Sequence, residues 1–291
     1  MEVIASPSTR LHALRRGVDL EALARRLGRS HIAREDVDGT AAPAAPAEDP
    51  RRLWDVDHAA WGPVRVEPLT RFARVAAAHL AAAQALIPAV THHDRADLTE
   101  AEAFRASLKA EAAAKGVRLT ALAFHVRALA RALRAFPRFN ASLTPDGQAL
   151  VLKGYVHVGL AVDAPHGLVV PVVRDADRLG LWALARAVAD LAAKAQARRL
   201  RPEEMGGASM TISNLGGLGG TGFTPIVNPP EVAILGLARA ETAPVWDGAA
   251  FVPRLMAPLS LSYDHRAIDG AEAARFLAHY ARLLADPRRL A

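Results

Sequence analysis

The chain has 291 residues, of which 51% are apolar, 23% charged and 5% aromatic, with a formal charge of +6 and no cysteine. That length holds one substantial domain plus something smaller, and the missing cysteines exclude disulfides, cysteine-bound zinc and a cysteine nucleophile. The arginines are interspersed with acids and lack the aromatic-basic pattern of RNA-binding modules, and no apolar run approaches the roughly 20 residues of a membrane span. Neither nucleic acid nor a membrane is therefore an expected partner. No basic segment followed by an apolar stretch opens the sequence, so the expected compartment is the cytoplasm.

In chain order, residues 1–40 read as a miniature helical unit. Ser8 is the expected cap of a helix from Thr9 through Arg16, which Gly17 stops. A second helix fits Leu20 to Leu27, stopped by Gly28, and Arg34 to Val37 forms a last turn. An Ala/Pro tract from Gly39 to Ala47 lacks large apolar residues and opens a linker, assigned to 41–62. Residues 63–291 mix helical and strand-like runs. Helices are expected at Phe72 to Leu86, at Thr99 to Lys115 with Thr99 and Glu102 as a capping box, at Thr120 to Phe136, at Leu179 to Leu200 and at Ala271 to Ala285. Ala89 to Asp94 reads as extended. Tyr155 to Val162 and Leu168 to Val173 read as a hairpin across Asp163–Gly167, and Ser209 to Ser213, Val232 to Leu237 and Leu255 to Ser262 as further strands. Without regular βα alternation this is an α+β layered domain.

Gly217-Leu218-Gly219-Gly220-Thr221-Gly222 fits G-x-G-x-x-G, but the prolines that follow it forbid the helix a dinucleotide site needs. His92 and His93 are adjacent on an extended run and point to opposite faces, so no metal site is expected. The sharpest segment is Asp264-His265-Arg266-Ala267-Ile268-Asp269-Gly270, where a β-run gives way to a helix and His265 stands on the connection, a place where catalytic groups are displayed.

Asp264-His265-Arg266-x-x-Asp269-Gly270 resembles the D-H-R-x-x-D-G signature of the 2-oxo acid dehydrogenase acyltransferases, whose fold is shared with chloramphenicol acetyltransferase. Ile87–Thr91, Val169–Arg174, Gly206–Gly216 and Pro225–Gly236 resemble further family blocks in the family's order. The resemblance implies a two-layer catalytic domain in which His265 is the general base, Ser213 stabilises the oxyanion, Asp269 holds the loop, and Arg71 pairs with that acid to position the site. It implies acyl transfer between dihydrolipoamide and coenzyme A, both as substrates and without a metal, in trimers built into a cubic or icosahedral core. The chemistry is consistent. A free thiol is mostly protonated at neutral pH, a neutral imidazole can take its proton, and a hydroxyl donor stabilises the charge developing on the carbonyl oxygen. The stretch from Val245 to Gly248 and from Phe251 to Met256 resembles acetyl-specific members from pyruvate dehydrogenase complexes. Alternatives are a chloramphenicol-acetyltransferase-like enzyme with another acceptor and a non-catalytic assembly scaffold.

Pro7-Ser8-x-Arg10, Gly17–Leu20 and Ile32-x-Arg34-Glu35-Asp36-Val37 resemble the family's peripheral subunit-binding domain, with Arg10 as the partner-binding residue. The middle departs: Arg25-Arg26-Leu27 stands where the family has a G-T-G loop, and Ser30-His31 where it has Gly-Arg. Binding of pyruvate dehydrogenase and lipoamide dehydrogenase components is therefore expected to be weakened. Nothing resembles the Asp-Lys-Ala tip of a lipoyl domain, so the lipoyl group is expected from a domain absent from this sequence.

Overall fold

The computed structural model describes residues 3–39, 52, 54–165 and 167–290. The chain divides into two compact units, Met1–Pro68 and Leu69–Ala291. Most of the Ala/Pro tract and His166 of the expected hairpin turn lie outside the described residues.

In the first unit, Ser6 rather than Ser8 caps α1 (Pro7–Arg16), its Oγ accepting the Thr9 N–H at 3.1 Å. Pro7 then occupies the first helical position, where its missing N–H leaves nothing unsatisfied. Asp19 caps α2 (Leu20–Leu27) by accepting from the Glu21 and Ala22 N–H groups. Gly17 and Gly28, both at φ 65°, end the two helices in the left-handed conformation that glycine adopts freely. At the short α3 (Arg34–Asp38), the Asp36 carboxylate accepts the Ala33 N–H at 2.8 Å and pairs with Arg29 at 2.6 Å. Among the described residues, Val3, Ala13, Leu23, Ala24, Ile32 and Val37 form the buried core, with Ala5, Val18 and Leu20 packed against it.

The second unit runs α4 (Arg71–Leu86), β1 (Ala89–Asp97), α5 (Thr99–Ser107), α6 (Lys109–Ala114), α7 (Ala121–Ala135), β2 (Ala141–Leu143), β3 (Leu150–Leu152), β4 (Val158–Ala164), β5 (Gly167–Val169) and β6 (Val172–Val173). It continues with α8 (Leu181–Gln196), β7 (Met210–Asn214), β8 (Ala233–Leu237), β9 (Glu241–Trp246), β10 (Phe251–Asp264) and α9 (Gly270–Ala285). The main sheet has the order β1-β10-β8-β7-β4-β5, with β6 also on β4 and β9 on β10. Only the β8–β7 and β7–β4 pairs are parallel. This is the expected α+β class. The long helix expected from Thr99 to Lys115 breaks at Leu108. Thr99 is not its cap, because its hydroxyl accepts the Leu255 N–H and Glu102 pairs with Arg105 instead.

Alternation along the strands separates the two faces. Val158, Leu160, Met210, Ile212, Ala233, Leu235, Leu237, Leu259, Leu261 and Tyr263 point to one face and join the core with α7, α8 and α9. Within that core the His125 imidazole meets the Tyr280 hydroxyl at 2.6 Å, tying α7 to α9; burial pushes the imidazole down to about 4, so it is neutral. The other face is polar and small. In register across it lie Thr91, Ser262, Ile234, Thr211 and Gly159, then His93, Ser260, Gly236, Ser213 and Ala161. Thr91 bonds Ser262 at 2.7 Å and His93 bonds Ser260 at 3.0 Å. Gly236 leaves room for a ring: a Cβ there would stand 2.8 Å from Phe223 Cζ. The G-x-G-x-x-G stretch leads into non-helical chain up to β8, so no helix N-terminus faces it.

Candidate active site

His265 directly follows β10, the longest strand of the sheet at 14 residues. β10 is paired on one edge with β1 and on the other with β8 and β9, so its end is fixed from both sides. The Asp264 N–H reaches the Val232 carbonyl at 2.8 Å, and the His265 N–H reaches the Pro88 carbonyl at 3.1 Å. The loop then folds on the Asp264 carboxylate. Only 3% exposed, it accepts the Arg266 N–H at 3.0 Å and takes the Arg266 guanidinium at 2.7 Å. A bidentate, charge-assisted pair of this kind is stiff as well as strong. Arg138 pins the far side, donating to the Ala267 carbonyl at 2.6 Å. With its backbone so held, the imidazole of His265 is exposed, 5.8 Å from the Tyr263 ring, centroid to centroid.

Within this chain the Asp264 carboxylate holds the loop through Arg266. Asp269 instead caps α9: its Oδ1 accepts the Glu272 N–H at 2.7 Å. Its charge also helps raise the Tyr263 phenol, behind the larger effect of burial. Arg71, the expected partner of Asp269, is the exposed first residue of α4 and makes no ion pair among the described residues. Arg10 lies in the other unit, where its guanidinium donates to the Val3 carbonyl at 2.7 Å and the Ala5 carbonyl at 3.3 Å. Arg138 escaped the sequence reading, as its contact spans 129 positions and belongs to no local pattern.

Ser213 is half-buried on the polar face of β7. Its register partner in β8 is Gly236, and Gly236 in turn faces Ser260 of β10. His265 stands five positions beyond Ser260 on the continuation of β10. Two strand spacings of about 4.8 Å and five rises of about 3.3 Å place the two residues roughly 19 Å apart. One chain does not bring the predicted base and the predicted oxyanion donor together. Among the described residues, no group of three or more His, Asp or Glu side chains is placed to hold a metal ion, and no helix is long and apolar enough to cross a membrane.

The Asp264 clamp yields a direct expectation. Asp264→Ala takes the acceptor from the Arg266 N–H and from the partly exposed Arg266 guanidinium and should lower stability by about 1.5 kcal/mol, as loss of hydrogen bonds to a charged group does, read by denaturant unfolding; a loss below about 0.5 kcal/mol, the level of an ordinary surface change, would show that the clamp does not hold the loop.

The pattern of the family described as 2-oxoacid dehydrogenases acyltransferase (catalytic domain) matches residues 62–291. The acetyltransferase component of the pyruvate dehydrogenase complex of Pseudomonas aeruginosa is 48% identical over 301 residues, covering 99% of this chain and 55% of the relative. The chain spans about half the length of the curated relatives it matches first. Among solved structures, the dihydrolipoamide acetyltransferase of Azotobacter vinelandii is 50% identical with a TM-score of 0.80, covering 84% of this chain and 99% of that one; it was studied for the roles of a serine, a histidine and an asparagine in its catalytic mechanism. The cubic core of a pyruvate dehydrogenase multienzyme complex is 51% identical with a TM-score of 0.80, over the same shares of the two chains. Through its second unit, the chain belongs to the family of 2-oxoacid dehydrogenase acyltransferase catalytic domains.

Proposed function

We propose that this chain is the catalytic core of a dihydrolipoamide acetyltransferase, moving an acetyl group between a dihydrolipoyl thiol and coenzyme A at a site shared by two subunits. The observation that carries the proposal is the pairing of a rigidly held, exposed His265 with a Ser213 roughly 19 Å away in the same sheet. Each half-site is built and incomplete. The serine and histidine studied in the Azotobacter vinelandii enzyme are separated by the same number of positions as Ser213 and His265, and its asparagine stands at the spacing of Asp269. A neighbouring copy supplies the missing half. α4 supports this: Ala83 alone is buried along it, while Val75 and Leu86 are 64% and 69% exposed. Apolar surface of that extent suits a second copy, in trimers assembled into a larger core.

In the transfer, the imidazole of His265 takes the proton from the coenzyme A thiol, and the thiolate attacks the thioester carbonyl carbon of the acetylated lipoyl group. The hydroxyl of the neighbour's Ser213 donates to the oxygen as it becomes negative. Collapse of the tetrahedral intermediate breaks the bond to the lipoyl sulfur, which receives the proton from His265. No acyl-enzyme is needed. The backbone bonds and the Asp264–Arg266 pair keep the imidazole in place, and Asp269 serves through α9. The acetyl group is carried over from the named relatives, the lipoyl group from a domain outside this sequence.

The first unit is proposed as a peripheral subunit-binding-like domain of weakened affinity. Arg10 is engaged with its own chain, and the exposed His31 replaces the arginine the resemblance leads one to expect. Calorimetric titration with lipoamide dehydrogenase should give little heat; tight, salt-sensitive binding contradicts this.

For the reaction itself, the expected result is acetyl transfer from acetyl-CoA to dihydrolipoamide by the unaltered chain. His265→Ala should lower kcat by about 10²–10⁴, and Ser213→Ala by roughly 10²–10³ with KM almost unmoved, in particles whose size by light scattering is unchanged. Near-normal turnover by His265→Ala would defeat the assignment.

A further inference from the structure

Glu231 is 6% exposed, on the turn that leads into β8. Its two oxygens are treated differently. Oε1 accepts the Thr211 hydroxyl at 2.9 Å, while Oε2 is buried without a hydrogen bond. Burial pushes the carboxyl up to about 7, against the opposing effects of Thr211, Lys153 and Asn228. A buried ion adds little to stability, and such groups cluster where function needs them.

The bonds around this residue run to both half-sites. Thr211 lies two positions before Ser213 on the same face of β7. Lys153 donates from Nζ to the Ala208 carbonyl at 3.1 Å, just ahead of β7, and the charge of Glu231 supports that ammonium. On the other side, the Val232 carbonyl accepts the Asp264 N–H at 2.8 Å, one residue before His265. The pair Glu231-Val232 is thus bonded to the strand of the serine and to the base of the histidine loop.

We propose that Glu231 is a positioning residue for the acetyl transfer, its carboxylate holding β7, and with it Ser213, in place against the segment that carries His265. The proposal rests on the acetyl-transfer function and touches neither substrate nor reacting atoms. The ionised form is the competent one, because its charge strengthens the Thr211 bond and, against the larger effect of burial, favours the charged form of Lys153. Other charged groups face the same place: Lys153 after β3, Asp264 and Arg266 from the loop after β10, and His79 of α4, which bonds Asn228 at 2.8 Å. A cavity of about 330 Å³, lined by His79, Glu231, Asp264 and Arg266 among others, gives protons a route in.

The test is the pH dependence of kcat for the intact chain and Glu231→Gln. His265 must be neutral to act as base and Glu231 must be ionised to hold β7. The acid limb of log kcat against pH should therefore be steeper than one ionisation gives, falling an extra tenfold across the Glu231 titration, and should lose that extra fall in Glu231→Gln. On the alkaline side the variant should lose about tenfold in kcat with KM unmoved, less than the ~10²-fold of a full 1 Å misplacement. Thr211→Val should give a similar loss, the double variant no more than the worse single one, and the control His79→Gln should keep the steep limb. Melting curves guard against misfolding. A carboxyl raised from 4.5 to about 7 is favoured neutral in the folded chain, so its cost appears as pH rises through that window and is complete above it. Glu231→Gln should therefore melt above the unaltered chain on the alkaline side and together with it on the acid side. An unchanged slope and kcat, or a change in KM alone, overturns the positioning role while leaving the transfer function standing; an unaltered chain without acetyl transfer overturns both.

Discussion

The register of β10 is the constraint on which the rest of the structure depends. The strand is hydrogen-bonded to β1 over nine consecutive positions, Ala89 to Asp97, and to β8 over five of the same residues. A slip of one residue would turn Leu259, Leu261 and Tyr263 out of the core and bring Ser260 and Ser262 into it. The apolar face therefore locks the polar face. Once locked, Ser260 marks the row of Ser213, and the strand end marks His265. The distance between His265 and Ser213 within one chain is set by this pairing, not by any feature of the site itself.

Fixed distance is the reason the proposed site is built as two halves. The loop of His265 is held by backbone bonds to two neighbouring segments, by the pairing of the buried Asp264 with Arg266 and by Arg138 on the Ala267 carbonyl. None of these contacts uses the imidazole, whose ring nitrogens make no hydrogen bond among the described residues. Ser213 stands on a face of hydroxyls and small side chains, where Gly236 and Gly159 leave space for Phe223 and Thr211. Rigid positioning of groups that remain chemically free is what general-base and oxyanion catalysis require. The proposed trimer interface supplies only proximity, and Glu231 is proposed to keep the two halves of each chain in a constant relation.

Much of this was legible before the fold was known. Gly28 marks the end of α2, and the helices expected at Thr120 to Phe136 and Ala271 to Ala285 are α7 and α9 to within one residue at either end. The strands of the core were readable from β-branched runs. The hairpin of β9 and β10 was not, since its side chains are mostly exposed and Pro244 faces Pro253 across it; prolines are tolerated on such an edge but erase the strand signal. The cap of α1 was misplaced because Ser6 and Ser8 both precede a helical run, and only the fit of Pro7 at the first turn separates them. In the site, His265 and Ser213 were legible through motif resemblance. The contact of Arg138 and the proposed role of Glu231 depend on long-range packing, which leaves no local spacing to read; Asp264 grips Arg266 only two positions on, but its burial comes from the fold.

His265 and Ser213 are proposed to act together from different chains. The most direct test is complementation between two inactive variants, His265→Ala and Ser213→Ala, unfolded, mixed in equal amounts and refolded together. In a cyclic trimer every interface is the same head-to-tail contact, so random mixing leaves about a quarter of the sites with both groups intact. The account predicts acetyl transfer rising towards that fraction, well above either variant refolded alone. Mixed particles shown by mass spectrometry to contain both chains, yet no more active than the separate controls, would contradict it.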